Sequence, residues 1–128
     1  MSPVDISVGE RFVDALLAKD WPRLETVLDP EVDMRALTPG QPWEATGTTA
    51  LVEEVFSHWF GPTDDIYEVL DVATDRIADR HRVIYRFRVR TPDGDHLCEQ
   101  TAYYDEVDGR ITKLRILCSG FLPSAGGS

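Results

Sequence analysis

The segment from His96 to Ile111 holds the side chains whose types could do chemistry beside a buried surface. It alternates apolar and polar residues into the turn Val107-Asp108-Gly109, a pattern typical of a β-hairpin. His96 carries an imidazole, the side chain most often used for proton transfer, and Gln100 carries an amide that can donate and accept hydrogen bonds. Whether this strand moves protons or lines a pocket depends on which of its side chains point inward.

Other reactive side chains are scattered along the chain. Asp33, with Arg35 two residues later, could activate a water molecule or move a proton. Cys98 and Cys118 form neither a CxxC pair nor a disulfide framework. The three histidines are too far apart in sequence for a metal motif. We therefore expect no bound metal and no cofactor.

Length and charge narrow the class of protein. The 128 residues suffice for one domain, and 42% of them are hydrophobic, which is typical of a folded globular protein. With 13 basic and 23 acidic side chains, the formal net charge is −10, which repels nucleic-acid phosphates and anionic membranes. No apolar stretch approaches the roughly 20 residues of a membrane span, and no leader sequence is evident. We expect no nucleic-acid or membrane partner and a cytoplasmic location.

The first 60 residues are predicted to be mostly helical, with three helices. Apolar residues recur at helical spacing over 5–19. A second, short helix over 20–29 begins with a capping aspartate and ends at an Asp-Pro pair. A third, over 48–60, is predicted to be capped by Thr48 or Thr49 and stopped by a Gly-Pro pair. Between the last two, the pattern predicts a short strand over 32–37 and a loop that contains Trp43.

The second half of the chain is predicted to be a sheet, because the apolar period changes to two. Four strands are expected, over 66–78, 82–91, 96–105 and 110–118. If Asp93 and Gly94 form a two-residue turn, Phe87 lies opposite Gln100, and Arg88 lies opposite Glu99 on the other face. A shift of one residue would bury arginine, so the face is better determined than the register. The inward set is Val83, Tyr85, Phe87, Val89, Cys98, Gln100, Ala102 and Tyr104.

Gln100 is thus predicted to lie on a mainly apolar inner face, where an unpaired amide costs about 1–3 kcal/mol. Two interpretations stay open: the amide bonds to a tyrosine hydroxyl or a buried water, or it contacts a ligand. Tyr85 and Tyr104 can each pack a ring in the core and offer a hydroxyl to a ligand or to Gln100. His96, beside a turn, is either an exposed residue or a proton shuttle.

Three segments together resemble the NTF2-like superfamily, and in particular its SnoaL-like branch. They are FVDALLAKDWPRLETVLDPEVDMR, GTTALVEEVFSHW and YYDEVDGRITKLRILCSGF, and the resemblance spans about residues 8–123. It implies an α+β cone, with three N-terminal helices packed in a strongly curved mixed or antiparallel sheet and a pocket at the wide end. We expect one domain over 1–123 and a flexible tail over 124–128. Members include isomerases, cyclases, epoxide hydrolases, dehydratases and non-catalytic binding domains, so the fold alone does not choose the chemistry.

Residue matching argues against a steroid-isomerase mechanism. The catalytic tyrosine of those relatives falls on Phe12, and their aspartate base falls on or near Ala36. Neither side chain can polarise a carbonyl or accept a proton. A second acid of the relatives falls on Gln100, which keeps a hydrogen-bond donor but is not an acid. One of three roles is therefore partly retained.

The resemblance implies a pocket for a small, largely apolar molecule, with polyketide-like and polycyclic compounds as the candidates. In an enzyme, Gln100, Tyr85 and Tyr104 would polarise an oxygen, and Asp33 or His96 would move a proton. The reaction would be a cyclisation, isomerisation, dehydration or epoxide opening. The alternatives are a non-catalytic binding or accessory protein and a homodimer whose pocket is filled by its own side chains. The expected ligand contacts are Phe12, Trp43, Trp59, Tyr85, Phe87, Gln100, Tyr104, Ile116 and Cys118.

The resemblance also implies a use for each face of the sheet. It turns Leu114, Ile116 and Cys118 inward on the last strand, so Cys98 and Cys118 would share a face as two thiols packed like small hydrophobic groups. The outer face, with Arg86, Arg88 and Thr101, is a surface that family members use to form dimers. A homodimer is therefore expected.

Overall fold

Residues 7–123, the part of the chain that the computed structural model describes, contain seven strands and two groups of helices, which β1 and β2 separate in the chain. The helical elements are α1 (Val8–Leu17), α2 (Trp21–Val27), α3 (Thr48–Ala50), a π-helical segment (Leu51–Phe56) and α4 (Ser57–Trp59). The strands are β1 (Leu28–Thr38), β2 (Gln41–Thr46), β3 (Asp65–Ile77), β4 (Arg80–Thr91), β5 (Gly94–Val107), β6 (Arg110–Cys118) and β7 (Leu122–Pro123). The predicted start of the first helix at residues 5 and 6 and the predicted tail over 124–128 lie outside the described residues.

Side-chain caps set two of the helix starts. Ser7 and Glu10 form a capping box at α1, with the Ser7 hydroxyl accepting from the Glu10 N–H at 3.1 Å. Asp20 caps α2 as predicted, accepting from the Arg23 N–H at 3.2 Å. The prediction that Thr48 or Thr49 caps the third helix is wrong. Gly47 holds that position without a side-chain cap, and the Thr48 hydroxyl instead donates to the Asp29 carbonyl at 2.9 Å.

The consecutive elements α3, the π-helical segment and α4 occupy the place of the predicted third helix. Leu51, Val52, Val55 and Phe56 are buried, as the helical spacing predicted. The hydroxyl of Ser57 donates to the carbonyl of Val52, five residues earlier, at 2.6 Å. The wider turn of a π-helix carries the chain into α4, which ends at Trp59.

The strands form one mixed sheet in the order β2-β1-β6-β5-β4-β3, with β7 paired to β5. The β1–β6 pair is parallel, and the other pairs are antiparallel. The strand predicted over 32–37 begins four residues earlier, at Leu28. The predicted loop around Trp43 is strand β2. Proline and glycine suggested a loop there, but an edge strand tolerates Pro42 because one side of its backbone needs no partner strand.

The inner face of β4 and β5 is the one that the alternation predicted, since all eight residues of the predicted inward set are buried. The predicted register is wrong by two residues. Tyr85 lies opposite Gln100, and Phe87 lies opposite Cys98. The turn is centred one residue earlier than expected, because Thr91 pairs with Gly94 and leaves Pro92 and Asp93 as the central residues. Proline is favoured at the first central position of a β-turn.

Aromatic rings fill most of the space between the helices and the sheet. Phe12 of α1 contacts Phe56 and Tyr85, with ring centroids 6.0 and 6.5 Å apart. Tyr85 stacks against Phe87 at 6.2 Å, and Phe87 meets Phe60 edge-on at 5.6 Å. Free volume remains at several places around this core, one of them beyond Phe60, toward the end of β6.

Candidate functional site

A cavity of about 190 Å³ lies where β6 ends. Its volume is below the roughly 300–1,000 Å³ of sites for drug-sized ligands, so it suits a small molecule. The wall is mainly apolar, and Gln100 of β5 brings a buried amide to it. The lining residues are Thr38, Trp59, Phe60, Gln100, Cys118, Gly120 and Phe121.

The Gln100 amide is held in one orientation by Tyr85. The Tyr85 hydroxyl donates to Gln100 Oε1 at 2.6 Å, and both side chains are almost fully buried. Burial raises the pKa of Tyr85 well above its usual range, so the hydroxyl stays protonated and remains a donor. Because Oε1 accepts this bond, the Gln100 NH₂ group is left to donate to other partners. The amide therefore presents hydrogen-bond donors to its surroundings.

Two cysteines lie beside this amide. The Sγ atoms of Cys98 and Cys118 are 3.7 Å apart, which confirms that the two thiols share the inner face. The Gly120 N–H donates to Cys118 Sγ at 3.3 Å. The hydrogen bond from Cys98 lowers the pKa of Cys118, burial opposes this, and the Gln100 amide and Gly120 N–H lower it further. The bond to Cys118 and burial raise the pKa of Cys98, so Cys118 is the thiolate-forming partner.

Tryptophan side chains complete one wall of the cavity. Trp59 lines it, and its buried indole Nε1 has no hydrogen-bond partner among the described residues. Trp43 lies behind Trp59, with the two rings edge-on at 5.9 Å. The Trp43 Nε1 donates to Thr38 Oγ1 at 2.8 Å. Trp43 thus supports the wall, while Trp59 contributes an unused donor.

The three candidate catalytic residues are not brought together. Gln100 reaches the cavity, whereas His96 is not part of its lining and packs against Phe121, with ring centroids 6.0 Å apart. The Nδ1 atom of His96 is buried without a partner among residues 7–123. Asp33 lies on the opposite face of the sheet from Met34 and Ala36, and its Oδ2 pairs with Arg115 at 3.2 Å. The arrangement therefore places the proposed proton carriers away from Gln100.

The predicted ligand contacts divide in a similar way. Trp59, Gln100 and Cys118 line the cavity, and Trp43 and Tyr85 contact lining residues. Phe12, Phe87 and Ile116 are buried in the core and are not part of the lining. Tyr104 lies farther along β5, stacked on His81 with ring centroids 5.1 Å apart, and its hydroxyl contacts Gly9.

Four lining residues were missed by the sequence analysis: Thr38, Phe60, Gly120 and Phe121. One signal for the last two was present, because a glycine directly after a predicted strand often marks a change of chain direction. Gly120 has φ +79, and a Cβ there would come within 2.9 Å of Pro39 Cγ. The close approach of these two segments brings Phe121 over the cavity.

A larger cavity, of about 380 Å³, lies between α1 and β3. Its lining includes Glu10, Asp14 and Val69, and half of the Val69 surface is exposed. It is a surface groove without a buried polar group, so the smaller cavity is the better candidate for a specific site.

Among residues 7–123, no cluster of three or more histidine, cysteine or acidic side chains is arranged to hold a metal ion. In the same part of the chain, no helix has the length and apolar character needed to cross a membrane.

The chain matches a known family model over most of its length. The model for the SnoaL-like domain matches residues 9–114. No curated protein matches the chain.

Three solved structures show the fold. A proposed isomerase from Bacillus subtilis is 14% identical, with a TM-score of 0.73 over 88% of this chain and 84% of that one. A proposed polyketide cyclase from Xanthomonas campestris is 16% identical, with a TM-score of 0.68 over 86% of each chain. An NTF2-like protein from Burkholderia thailandensis is 14% identical, with a TM-score of 0.68 over 88% of each chain. The chain belongs to the SnoaL-like domain family, and its helices and curved mixed sheet form the α+β cone of NTF2-like proteins.

Proposed function

We propose that this protein binds a small, largely apolar molecule that carries a carbonyl oxygen. The observation that carries the proposal is the Tyr85–Gln100 hydrogen bond of 2.6 Å beside the cavity of about 190 Å³. Since Tyr85 occupies Gln100 Oε1, the amide offers N–H groups, and the unpartnered Nε1 of Trp59 adds another donor. A ligand that brings an acceptor oxygen gives the Trp59 N–H a partner and offers a further acceptor to the Gln100 amide, whereas a hydrocarbon leaves the Trp59 donor unpaired.

The buried polar groups favour binding over acid–base catalysis. Among residues 7–123, Thr48 and Gln100 are the buried residues of polar or charged type, so no carboxylate is buried on the inner face. A carboxylate within reach of the substrate is the commonest alternative to histidine for proton transfer. Asp33 is paired with Arg115 on the other face, and His96 packs against Phe121 without lining the cavity.

Catalysis without a cofactor is the second candidate function. The Tyr85–Gln100 pair favours it, because a fixed amide N–H can stabilise negative charge that develops on a carbonyl oxygen. The reaction would be a cyclisation, isomerisation, dehydration or epoxide opening. Similar structures bear the names isomerase and polyketide cyclase, which agrees with these classes. Time courses of the bound carbonyl compound with protein in excess separate the two functions, since a binder returns the compound unchanged.

The binding proposal is tested with cyclohexanone and its hydrocarbon isostere methylenecyclohexane. We expect cyclohexanone to bind more tightly in titration calorimetry. In ¹H–¹⁵N spectra it should move the indole N–H resonance of Trp59, which lines the cavity, and leave that of Trp21 in place. Trp21 is the matched control because it lies on α2 and is not part of the cavity lining. Equal affinities for the two compounds, or an unchanged Trp59 resonance at saturation, would refute the proposal.

We also propose that the protein is a homodimer that associates through the outer face of the sheet. Leu37 and Leu117 are neighbours on the parallel pair β1–β6, and about half of each side chain is exposed. By contrast, the outer face of β4 and β5 carries ion pairs such as Arg86–Glu99 at 2.7 Å. Light scattering on wild-type protein and on Leu117→Lys tests this. The variant should be monomeric, and a monomeric wild type would contradict the proposal.

We keep the predicted cytoplasmic location as part of the proposal. Cys98 and Cys118 are both free thiols, and cysteines stay reduced in the cytoplasm. Fractionation of cells that express the full chain tests the location directly. Recovery outside the cytoplasmic fraction would contradict it.

A further inference from the structure

The Cys98–Cys118 pair has a geometry that packing alone does not require. The two Sγ atoms are 3.7 Å apart on neighbouring strands, and Cys118 is part of the cavity lining. Cys98 is fully buried beneath it. One sulfur thus faces a space that a small molecule can enter, and the second lies within contact distance of the first but is sealed from solvent.

The polar groups around the pair distinguish the two sulfurs. Cys118 Sγ accepts from the Gly120 N–H at 3.3 Å and lies beside the Gln100 amide. These donors, together with the Cys98 thiol, stabilise negative charge on Cys118. The other titratable groups that influence the pair are Tyr85 on β4 and Glu99 on β5. The bond to Cys118 and burial favour the protonated form of Cys98, the Ser119 hydroxyl opposes them, and the negative charge on Glu99 adds a smaller contribution in their favour.

We propose that Cys98 and Cys118 form a redox-active dithiol site that reduces small hydroperoxides, with Cys118 as the attacking sulfur and Cys98 as the resolving sulfur. The substrate class follows from the cavity. A volume of about 190 Å³ admits hydrogen peroxide or a short alkyl hydroperoxide and is too small for a peptide disulfide such as oxidised glutathione. The donors of Gln100 and Trp59 can bind the peroxide oxygens.

The reaction balances in two steps. The Cys118 thiolate attacks one oxygen of ROOH, so that an S–O bond forms, the O–O bond breaks and the leaving alkoxide takes a proton from water. Cys98 then attacks the sulfenic sulfur of Cys118, the S–S bond forms, and the released hydroxide leaves as water with the Cys98 proton. Overall, two thiols and ROOH give one disulfide, ROH and water. An external thiol returns the disulfide to the starting state.

The second step requires the two sulfur atoms to move closer together than they are in the folded protein. Gln100 lies directly opposite Cys118, so Cys98 is the diagonal neighbour of Cys118 on the β5–β6 ladder. Bond formation requires the two sulfurs to move from 3.7 Å to the roughly 2.05 Å of a disulfide. Cys118 is the last residue of β6, and the next residue, Ser119, donates its N–H to the Glu99 carbonyl at 2.9 Å, so this end is held against β5 and the sulfurs approach by rotation of the two side chains. A disulfide across a diagonal pair is strained, and such bonds are readily reduced again.

The first test treats the reduced full chain with one equivalent of hydrogen peroxide. We expect both thiols to be lost and the mass of the single chain to fall by two hydrogen atoms, without a disulfide between chains. In Cys98→Ser, dimedone should trap a sulfenic acid at Cys118. In Cys118→Ser, the remaining Cys98 should stay a thiol. Circular dichroism checks that each variant is folded. A disulfide between chains, oxidation of Cys98 in Cys118→Ser, or retention of both thiols in the wild type overturns the proposal.

The second test separates a reactive site from two packed thiols and does not depend on the oxidation product. Iodoacetamide in limiting amount should modify Cys118 of the wild type about tenfold faster than Cys98, because the thiolate is the nucleophile and Cys98 is buried and protonated. The inflection of the rate against pH should move to higher pH in Cys98→Ala, which removes the donor. Cys98→Ser keeps a hydroxyl donor and should restore much of the shift. Equal alkylation of both cysteines, or the same inflection in Cys98→Ala as in the wild type, contradicts the assignment.

Discussion

Gln100 and Tyr104 point to the same face of β5, four residues apart, yet they lie in different surroundings. At the Gln100 end, α4 stops at Trp59, and a cavity separates the helix from the end of β6. At the Tyr104 end, α1 lies directly on the sheet. A methyl group added at Gly9 would be 2.6 Å from the Tyr104 hydroxyl. The first end is open and partly polar. The second is covered by α1, apart from a surface groove of about 340 Å³ that Tyr104, His81 and Glu106 help to line, and we call it the closed end.

The difference shows that facing inward does not by itself make a residue part of a site. The sheet presents both side chains to the interior, and the helix above each one decides whether a ligand can reach it. Tyr85 and Tyr104 illustrate the difference between the two ends. Tyr85 contributes to the open end through its hydroxyl, which holds Gln100, whereas Tyr104 contributes to the closed end mainly through its ring.

The largest expected effect is on the closed end. Tyr104→Ala should lower the free energy of unfolding by about 3–5 kcal/mol, because it removes a buried ring between α1 and the sheet. Tyr103→Ala is the matched control, since Tyr103 is the next residue on β5 and lies partly exposed on the other face. It should cost about 1 kcal/mol or less. Urea denaturation measures both, and equal losses would remove the distinction between the faces.

Removing a tyrosine hydroxyl should lower stability more at the open end than on the exposed strand β3. Tyr85→Phe leaves the buried Gln100 Oε1 without its donor, which costs about 1–3 kcal/mol of stability. Tyr67→Phe, on the exposed strand β3, is the control and should be close to neutral. The loss should also reduce affinity for a ketone, because the amide becomes free to rotate. A Tyr85→Phe protein as stable as the Tyr67→Phe control would contradict the role given to this bond.

The sequence predicted the faces of the strands better than their registers. Alternation placed Tyr85, Gln100 and Tyr104 inside, because burying arginine is costly enough to exclude the opposite face. The two-residue error in register came from the turn, where Pro92 fixes the position of the bend. Strand β2 was missed because its proline and glycine neighbours suggested a loop, and only its place at the sheet edge makes them acceptable.

The candidate site was only partly predictable, because a cavity is a property of how elements pack. The sequence indicated Gln100, Trp59 and Cys118, each of which carries a polar or aromatic group on a predicted inner face. It could not reveal that Phe12 and Phe87 would fill the centre, or that Phe121 would cover the cavity after the chain turns at Gly120. These outcomes depend on contacts between segments distant in sequence, such as Gly120 with Pro39.

A smaller effect tests how tightly the closed end is packed. Gly9→Ala should lower stability by about 1 kcal/mol, because overpacking against Tyr104 outweighs the higher helix propensity of alanine. Calorimetry of Gly9→Ala, Tyr104→Phe and the double variant forms a thermodynamic cycle. The double variant should recover part of the loss, since the hydroxyl is the nearest atom to the new methyl group. A stabilised Gly9→Ala protein would mean that this end has free space.

The smallest expected effect concerns the contact between His81 and Glu106 at the rim of the closed end. His81 Nε2 and Glu106 Oε1 are 3.5 Å apart, and both side chains are about 30% exposed. Glu106→Gln should change the free energy of unfolding by about 1 kcal/mol or less, because water and salt screen such a pair. Thermal unfolding at low and high salt measures the change. A loss as large as that of Tyr104→Ala would show that charge, and not ring packing, holds this end.

The central claim is that the Gln100 amide donates a hydrogen bond to a ligand in the cavity. Titration calorimetry of cyclohexanone and methylenecyclohexane with wild type, Gln100→Leu and Gln41→Leu tests it most directly. Gln41 lies exposed on β2 and is the control for the same substitution. We predict that Gln100→Leu weakens cyclohexanone binding by about 1–3 kcal/mol and leaves the affinity for methylenecyclohexane unchanged. The Gln41→Leu protein should bind both compounds as the wild type does. Unchanged ketone affinity in a folded Gln100→Leu protein would contradict it.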